Sequence, residues 1–271
     1  MSIVVNTNIG SLNAQRSLAE SGRELSTAME RLSSGKKINS AADDAAGFAI
    51  AERMTAQVRG LNMATKNAND GLAMLATIEN ATNDVTDMLQ RIRELAVQAA
   101  NDTNGSQDRT YLQNEVDSLV AEINRVSSDT VYNDSVVLDG TLSGSLQVGT
   151  ASGQVISFSI DSIDALELGV DALDLSDATN AATALTAIDT AIETVAGNRA
   201  GYGALSNRLE YTVSNLMNVA EFTTAARSRI EDADFAAESA RLAKAQVLQQ
   251  TGTAMLAQAN ASSQLAIQLI R

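Results

Sequence analysis

Histidine, cysteine, proline and tryptophan are all absent from this chain, and its aromatic residues are only four Tyr and four Phe. Each absence excludes something. Without His or Cys there is no Ser-His-Asp triad, no thiol nucleophile and no His/Cys metal site. No enzyme, cofactor or metal is expected. Without Cys the chain carries no mark of an oxidising or a reducing compartment. Without Pro nothing in the interior of a helix forces a kink. With few aromatics, the core must be built from small aliphatic side chains, and helices lined with Ala can approach closely. No apolar run approaches the roughly 20 residues that cross a bilayer. The start, "MSIVVNTNIGSLNAQRSL", lacks a basic n-region, an apolar h-region and a small-residue cleavage site, so a general secretory signal is not expected.

Positive charge is also scarce. The 33 Asp and Glu against 19 Lys and Arg leave a net charge of -14, a poor match for nucleic acid or anionic lipid. Neither nucleic acid nor membrane insertion is expected. The acid is concentrated in the middle: from residue 130 to 198 there are ten Asp or Glu and no Lys or Arg. Residues 1–40 carry three Glu against five Lys or Arg, and residues 232–271 carry three acids against three bases. Neutral ends suit a buried interface.

What is present is helical periodicity. Leu18, Leu25 and Leu32 recur every seven residues. Leu61, Thr65, Ala68, Leu72 and Leu75 alternate spacings of three and four, as do Val85, Leu89, Ile92, Ala96 and Ala99. "NDTNG" at 101–105 predicts a turn, after which Leu112, Val116, Leu119, Ile123 and Val126 resume the pattern. Gly35 predicts a left-handed helix end. Asp232 or Asp234 predicts the start of the last helix. Between about residues 131 and 175, "SGSLQVG" and "SGQVISFSI" alternate apolar and polar residues between Gly and Ser, which predicts a small hairpin. "AGNRAGYG" at 196–203 predicts one interruption in the helical run that follows. The fold class is mainly α: a long antiparallel helical rod with a small β-hairpin region at the tip.

Three motifs invite chemical readings. "SSGKKIN" at 33–39 lacks the glycine and the Ser or Thr of a phosphate loop. The carboxylates of "IEDADF" and of Asp43-Asp44 stand where helix caps are expected. "LQRIRELAVQ" at 89–98 puts Gln90, Arg91 and Glu94 opposite an apolar face. That polar face is either solvated or a recognition surface, and periodicity leaves both open.

Longer runs carry a resemblance. "NTNIGSLNAQRSL", "AMERLSSGKKINSAADDAAGFAIAERM", "ATKNANDGLAM" and "LQRIRELAVQAAN" in the first half, and "ARSRIEDADFAAE", "KAQVLQQTGTAMLAQAN" and "LIR" in the second, closely resemble bacterial flagellin over about residues 1–140 and 180–271. The resemblance implies a short flagellin without large outer domains, with its two terminal helices paired as a coiled coil. Residues 1–42 and 232–271 would form the two halves of an inner terminal domain. Residues 43–231 would form a rod domain with helices at about 43–100, 106–129 and 180–231 and the strand-rich tip at about 131–175.

The same resemblance implies a secreted subunit of the extracellular filament, exported by the flagellar type III apparatus. Its partners would be other copies of itself, a flagellar cap protein, hook-junction proteins, an export chaperone and a host Toll-like receptor. The receptor surface, also a subunit interface, would be Gln90, Arg91, Leu95 and Glu115. Polymerisation would rest on Leu18, Leu25, Leu32, Leu265, Ile267, Leu269 and Ile270. O-glycosylation would fall on Ser143, Ser145, Thr150 and Ser152. The alternative is a hook–filament junction protein.

Overall fold

The computed structural model describes residues 7–268, with side chains through residue 262. Its helices, among the described residues, are α1 (Ile9–Ser34), α2 (Ala45–Ala99), α3 (Ser106–Asp129), α4 (Ala178–Glu231) and α5 (Phe235–Gln268). Between α3 and α4 lie β1 (Val131–Tyr132), β2 (Ser135–Val136), β3 (Ser143–Gln147) and β4 (Val155–Ser159), paired antiparallel as β1 with β2 and β3 with β4.

Asx side chains mark the helix starts. Asn8 Oδ1 accepts the Ser11 N–H at 3.0 Å, Asp44 Oδ1 the Gly47 N–H at 2.9 Å, Asp177 Oδ1 the Asn180 N–H at 2.7 Å and Asp234 Oδ1 the Ala236 N–H at 2.9 Å. Each satisfies a donor that its helix cannot. Gly35 ends α1 at φ 71°, donating to Arg31 O at 2.9 Å, a conformation that costs glycine nothing.

The chain divides into two compact units, residues 1–58 with 222–271, and residues 59–221. The sequence boundaries at 42/43 and 231/232 mark helix caps; the unit boundaries fall inside α2 and α4, which continue without a break.

In the first unit α1 and α5 pair antiparallel. Asn8 Nδ2 donates to Ala259 O at 2.8 Å, and Arg31 Nη1 donates to Glu238 Oε1 at 3.2 Å. On α1 the covered positions include Ser11, Leu18, Leu25 and Leu32, interleaved with Ala14, Ser21 and Ala28. On α5 they are Glu238, Leu242, Ala245, Gly252, Leu256 and Ala259. Both sets step by three, four or their sum, the seam of a two-stranded coiled coil. At one end the backbones bond directly: Lys37 N–H to Glu231 O at 2.6 Å, and Ala233 N–H to Gly35 O at 2.9 Å.

The second unit holds the main core. Ile78, Leu89, Ile92, Ile123, Ile188 and Leu209 are each fully enclosed where α2, α3 and α4 meet. α4 stays helical through residues 196–203, where the sequence predicts an interruption. Val195, before Gly197, and Tyr202, between Gly201 and Gly203, are buried, and Arg199 Nη2 reaches Glu79 Oε1 of α2 at 2.7 Å. These contacts offset a helix-propensity cost of about 1 kcal/mol per glycine.

The strand-rich segment lies along α2. Asn67 Nδ2 donates to Gln147 O at 3.0 Å. Gly60 and Gly71 make the approach possible: a Cβ on Gly60 would stand 2.8 Å from Thr150 Cγ2, and one on Gly71 would overlap Leu146. From β4 the chain returns beside α3. The Ala165 N–H donates to Asn124 Oδ1 at 2.9 Å, and the Leu175 N–H donates to Gln113 Oε1 at 2.7 Å. Ile160, Ile163, Val170 and Leu175 close the core from this side.

Candidate functional site

The α2–α3 face is built by the seam of α2. Leu89, Ile92, Leu95 and Ala96 turn inward, which leaves residues 90, 91 and 94 facing out. On α3, Val116 is buried and Glu115 emerges beside Arg91. Arg91 donates from Nε and Nη2 to Glu115 Oε1 at 3.0 and 2.8 Å, and from Nη1 to Glu94 Oε2 at 2.9 Å. The hydrogen bond to Glu115 is the main reason its pKa is raised further above the usual arginine value. The guanidinium is thus held between two carboxylates while half of the side chain stays exposed. The face offers a planar cation framed by two carboxylates and Gln90, a pattern for recognising a polar protein surface.

Leu95 does not belong to that surface. It is 1% exposed and lies in the core, because it falls on the seam stripe with Ile92 and Ala99. It packs into the core beneath the polar face. The sequence reading also missed two exposed apolar residues, Val97 and Tyr111. Val97 is seven residues beyond Gln90, and Tyr111 four before Glu115, so helical spacing puts each on the polar stripe. Apolar residues off the seam register were the available signal.

The α1–α5 pair is the second candidate surface. Leu18, Leu25 and Leu32 are half-buried in its seam. Leu265 and Ile267 fall within α5, but their side chains, like Leu269 and Ile270 altogether, lie outside the described residues. The seam is only two residues wide per heptad, so large apolar side chains remain outside it. Ile9, Leu12, Phe235, Val247 and Met255 are each more than half exposed. Along one side runs a groove of about 650 Å³ lined by Ala14, Leu248, Gly252, Met255 and Ala259 among others.

Ser143, Ser145, Thr150 and Ser152 are all exposed on the β3–β4 hairpin. The carboxylates near the loops act as caps. Asp43 Oδ2 accepts the Ser40 and Asn39 N–H groups at 2.9 and 3.1 Å, which holds its pKa below the usual carboxylate value. No helix among the described residues is long and apolar enough to cross a membrane.

The chain matches the family model for the bacterial flagellin N-terminal helical region over residues 5–143 and that for the C-terminal helical region over residues 185–270. A flagellin of Halalkalibacterium halodurans is 43% identical over 272 residues, covering 99% of this chain and 100% of that protein. The flagellar filament 33 kDa core protein of Treponema phagedenis is 40% identical over 286 residues, covering 99% of this chain and 100% of that one. Among solved structures, Bacillus cereus flagellin superposes with a TM-score of 0.50 at 32% identity, over 56% of this chain and 88% of its own.

Proposed function

The chain belongs to the bacterial flagellin family and is a structural subunit of the flagellar filament; from that premise we propose that α1 and α5 are the parts that join one copy to the next. The observation that carries this is the thin α1–α5 seam with its exposed apolar flanks. An exposed Ile9, Leu12, Phe235, Val247 and Met255 on one helix pair is a liability in a solitary molecule and an interface in a polymer. Each such side chain gains roughly 1.5–3 kcal/mol when fully covered, before ordering costs are subtracted. Leu18, Leu25 and Leu32 hold the pair together, and the apolar character of Leu265, Ile267, Leu269 and Ile270, read from the sequence alone, fits the same polymerising role. Deleting residues 260–271 abolishes filaments seen by electron microscopy of salted-out protein while leaving soluble subunits. Long filaments from the truncated chain would overturn the proposal, and small rings from the intact chain would favour a hook–filament junction protein.

The same premise supports export by the flagellar type III apparatus, with a chaperone covering the C-terminal segment before export. Hook-junction proteins and a cap protein would bound the growing filament.

A second surface has its own observation. Arg91, clamped by Glu115 and Glu94 and flanked by exposed Gln90, is the recognition face for a host Toll-like receptor and is also used between subunits. Leu95 supports that face from within. Arg91→Ala lowers both filament yield and receptor signalling; a variant normal in both would remove the assignment. Ser143, Ser145, Thr150 and Ser152 are the hydroxyls best placed for O-glycosylation, which mass spectrometry of native filaments tests directly.

A further inference from the structure

The α1–α5 seam repeats every seven residues on both helices. On α1, Leu18, Leu25 and Leu32 form one row and Ala14, Ser21 and Ala28 the other. On α5, Ala245, Gly252 and Ala259 form a row of small residues. Leu18 lies over Gly252, where an added Cβ would come within 3.3 Å of Leu18 Cδ1. Sliding one helix by seven residues, about 10 Å, sets Leu18 over Ala245 or Ala259 and rebuilds a leucine-over-small contact. Apolar packing alone therefore separates these registers weakly.

One seam residue breaks the repeat. Glu238 stands seven residues before Ala245, in the same row, and is only 5% exposed. Its Oε1 accepts from Arg31 Nη1 of α1 at 3.2 Å and from Arg241 Nη1 of α5 at 2.9 Å. In a slipped register Glu238 loses Arg31. Arg31, whose buried Nε already has no acceptor among the described residues, loses its carboxylate. Glu238 keeps Arg241 of its own helix, but separating the two partners of a buried charged pair costs more than leaving them together. A buried polar pair in a largely apolar seam is also the best-attested way for a coiled coil to select its register, and the other side-chain bond across this seam, Asn8 Nδ2 to Ala259 O, ends on a backbone carbonyl that any residue supplies. We propose that the Arg31–Glu238 pair is the register lock of the terminal helices: it selects one of several near-equal pairings, so that every subunit presents the same α1–α5 surface. The backbone ladder at Gly35–Lys37 tethers the same end, but through groups that any sequence supplies.

The absence of native cysteine allows a direct test. Leu18→Cys is combined with Gly252→Cys to report the native register, and with Ala245→Cys or Ala259→Cys to report the two slips. The full chain is oxidised after salting out, whether or not it forms filaments, and intramolecular disulfides are read on a non-reducing gel. In the parent only the 18/252 pair closes efficiently. Replacing the lock with an apolar pair, Arg31→Leu with Glu238→Leu, raises the ratio of slipped to native disulfide about tenfold, which corresponds to about 1.4 kcal/mol of lost discrimination.

A second variant moves the lock. Glu238→Ala with Ala245→Glu leaves Arg31 in place and offers it a carboxylate one heptad further along. It shifts closure from the 18/252 pair to the 18/259 pair. Exclusive 18/252 closure in both variants would show that the backbone ladder or the loops set the register, and would overturn the proposal.

Discussion

At the residue scale, polar side chains are mostly paired and the exceptions are informative. Tyr202 is 6% exposed and its hydroxyl makes no hydrogen bond of normal geometry, although the Asp161 backbone is close enough to influence it. Burial is the main reason its pKa is pushed above the usual 10.0. A raised tyrosine pKa means that the folded chain holds its proton more tightly than the unfolded chain. Its contribution is therefore intact below about pH 10 and is lost as pH rises towards the folded value. Tyr202→Phe is expected to be neutral, or stabilising by up to about 1 kcal/mol, at pH 7. It should also flatten the fall in stability above pH 10. Urea midpoints of the two proteins at pH 7 and 10.5 test both parts, and a loss of more than about 1 kcal/mol at pH 7 would mean the hydroxyl is bonded after all. At the Arg91 face of α2 and α3, residue type was legible and direction was not. Gln90, Arg91 and Glu115 emerge as their polarity suggests, whereas Leu95 follows the seam of α2 into the core.

At the scale of elements, periodicity and punctuation carried most of the fold. The α1 end at Gly35, the α5 start after Asp234 and the α2–α3 turn all follow from local chemistry that needs no knowledge of tertiary structure. Two features depended on distant partners and were hidden. The first is the continuity of α4, which rests on Tyr202 and on Arg199 reaching Glu79. The second is the docking of β3–β4 on α2, visible in sequence only as unexplained glycines within a helix. These two kinds of helical glycine should respond oppositely to alanine. Gly197 and Gly201 have nothing within 4 Å of an added Cβ, so Gly197→Ala and Gly201→Ala each stabilise the isolated subunit by about 0.5–1 kcal/mol. Gly71→Ala drives a methyl into Leu146 and comes within 3.4 Å of Leu209, costing about 1–3 kcal/mol. Denaturant unfolding of the three variants checks the signs; a destabilising Gly197→Ala would place an unseen constraint on α4.

At the scale of the whole molecule, the missing residue types decide how the protein meets its surroundings. With no His and no Cys, almost no side chain has an ordinary pKa between about 6 and 9. The net charge of -14 is therefore nearly constant across that range. Among the described residues arginine supplies the cation in the ion pairs of Arg31, Arg91, Arg93, Arg125, Arg199, Arg227 and Arg241, and lysine in Lys36–Glu231. On the acid side the sign reverses. Asp43, Asp139 and Asp174 are held below their usual pKa chiefly by backbone N–H donors, and Glu122 by Arg125. Carboxylates with depressed pKa values stabilise the fold above their unfolded pKa, near 4, and that contribution disappears as pH falls through the folded value. The thermal midpoint should therefore be flat from pH 6 to 9 at fixed ionic strength and fall on acidification below about pH 4. A change larger than about 3 °C within the flat range, where about 1 kcal/mol shifts the midpoint of a chain this size by 2–4 °C, would reveal a titrating group the fold has moved into neutral pH.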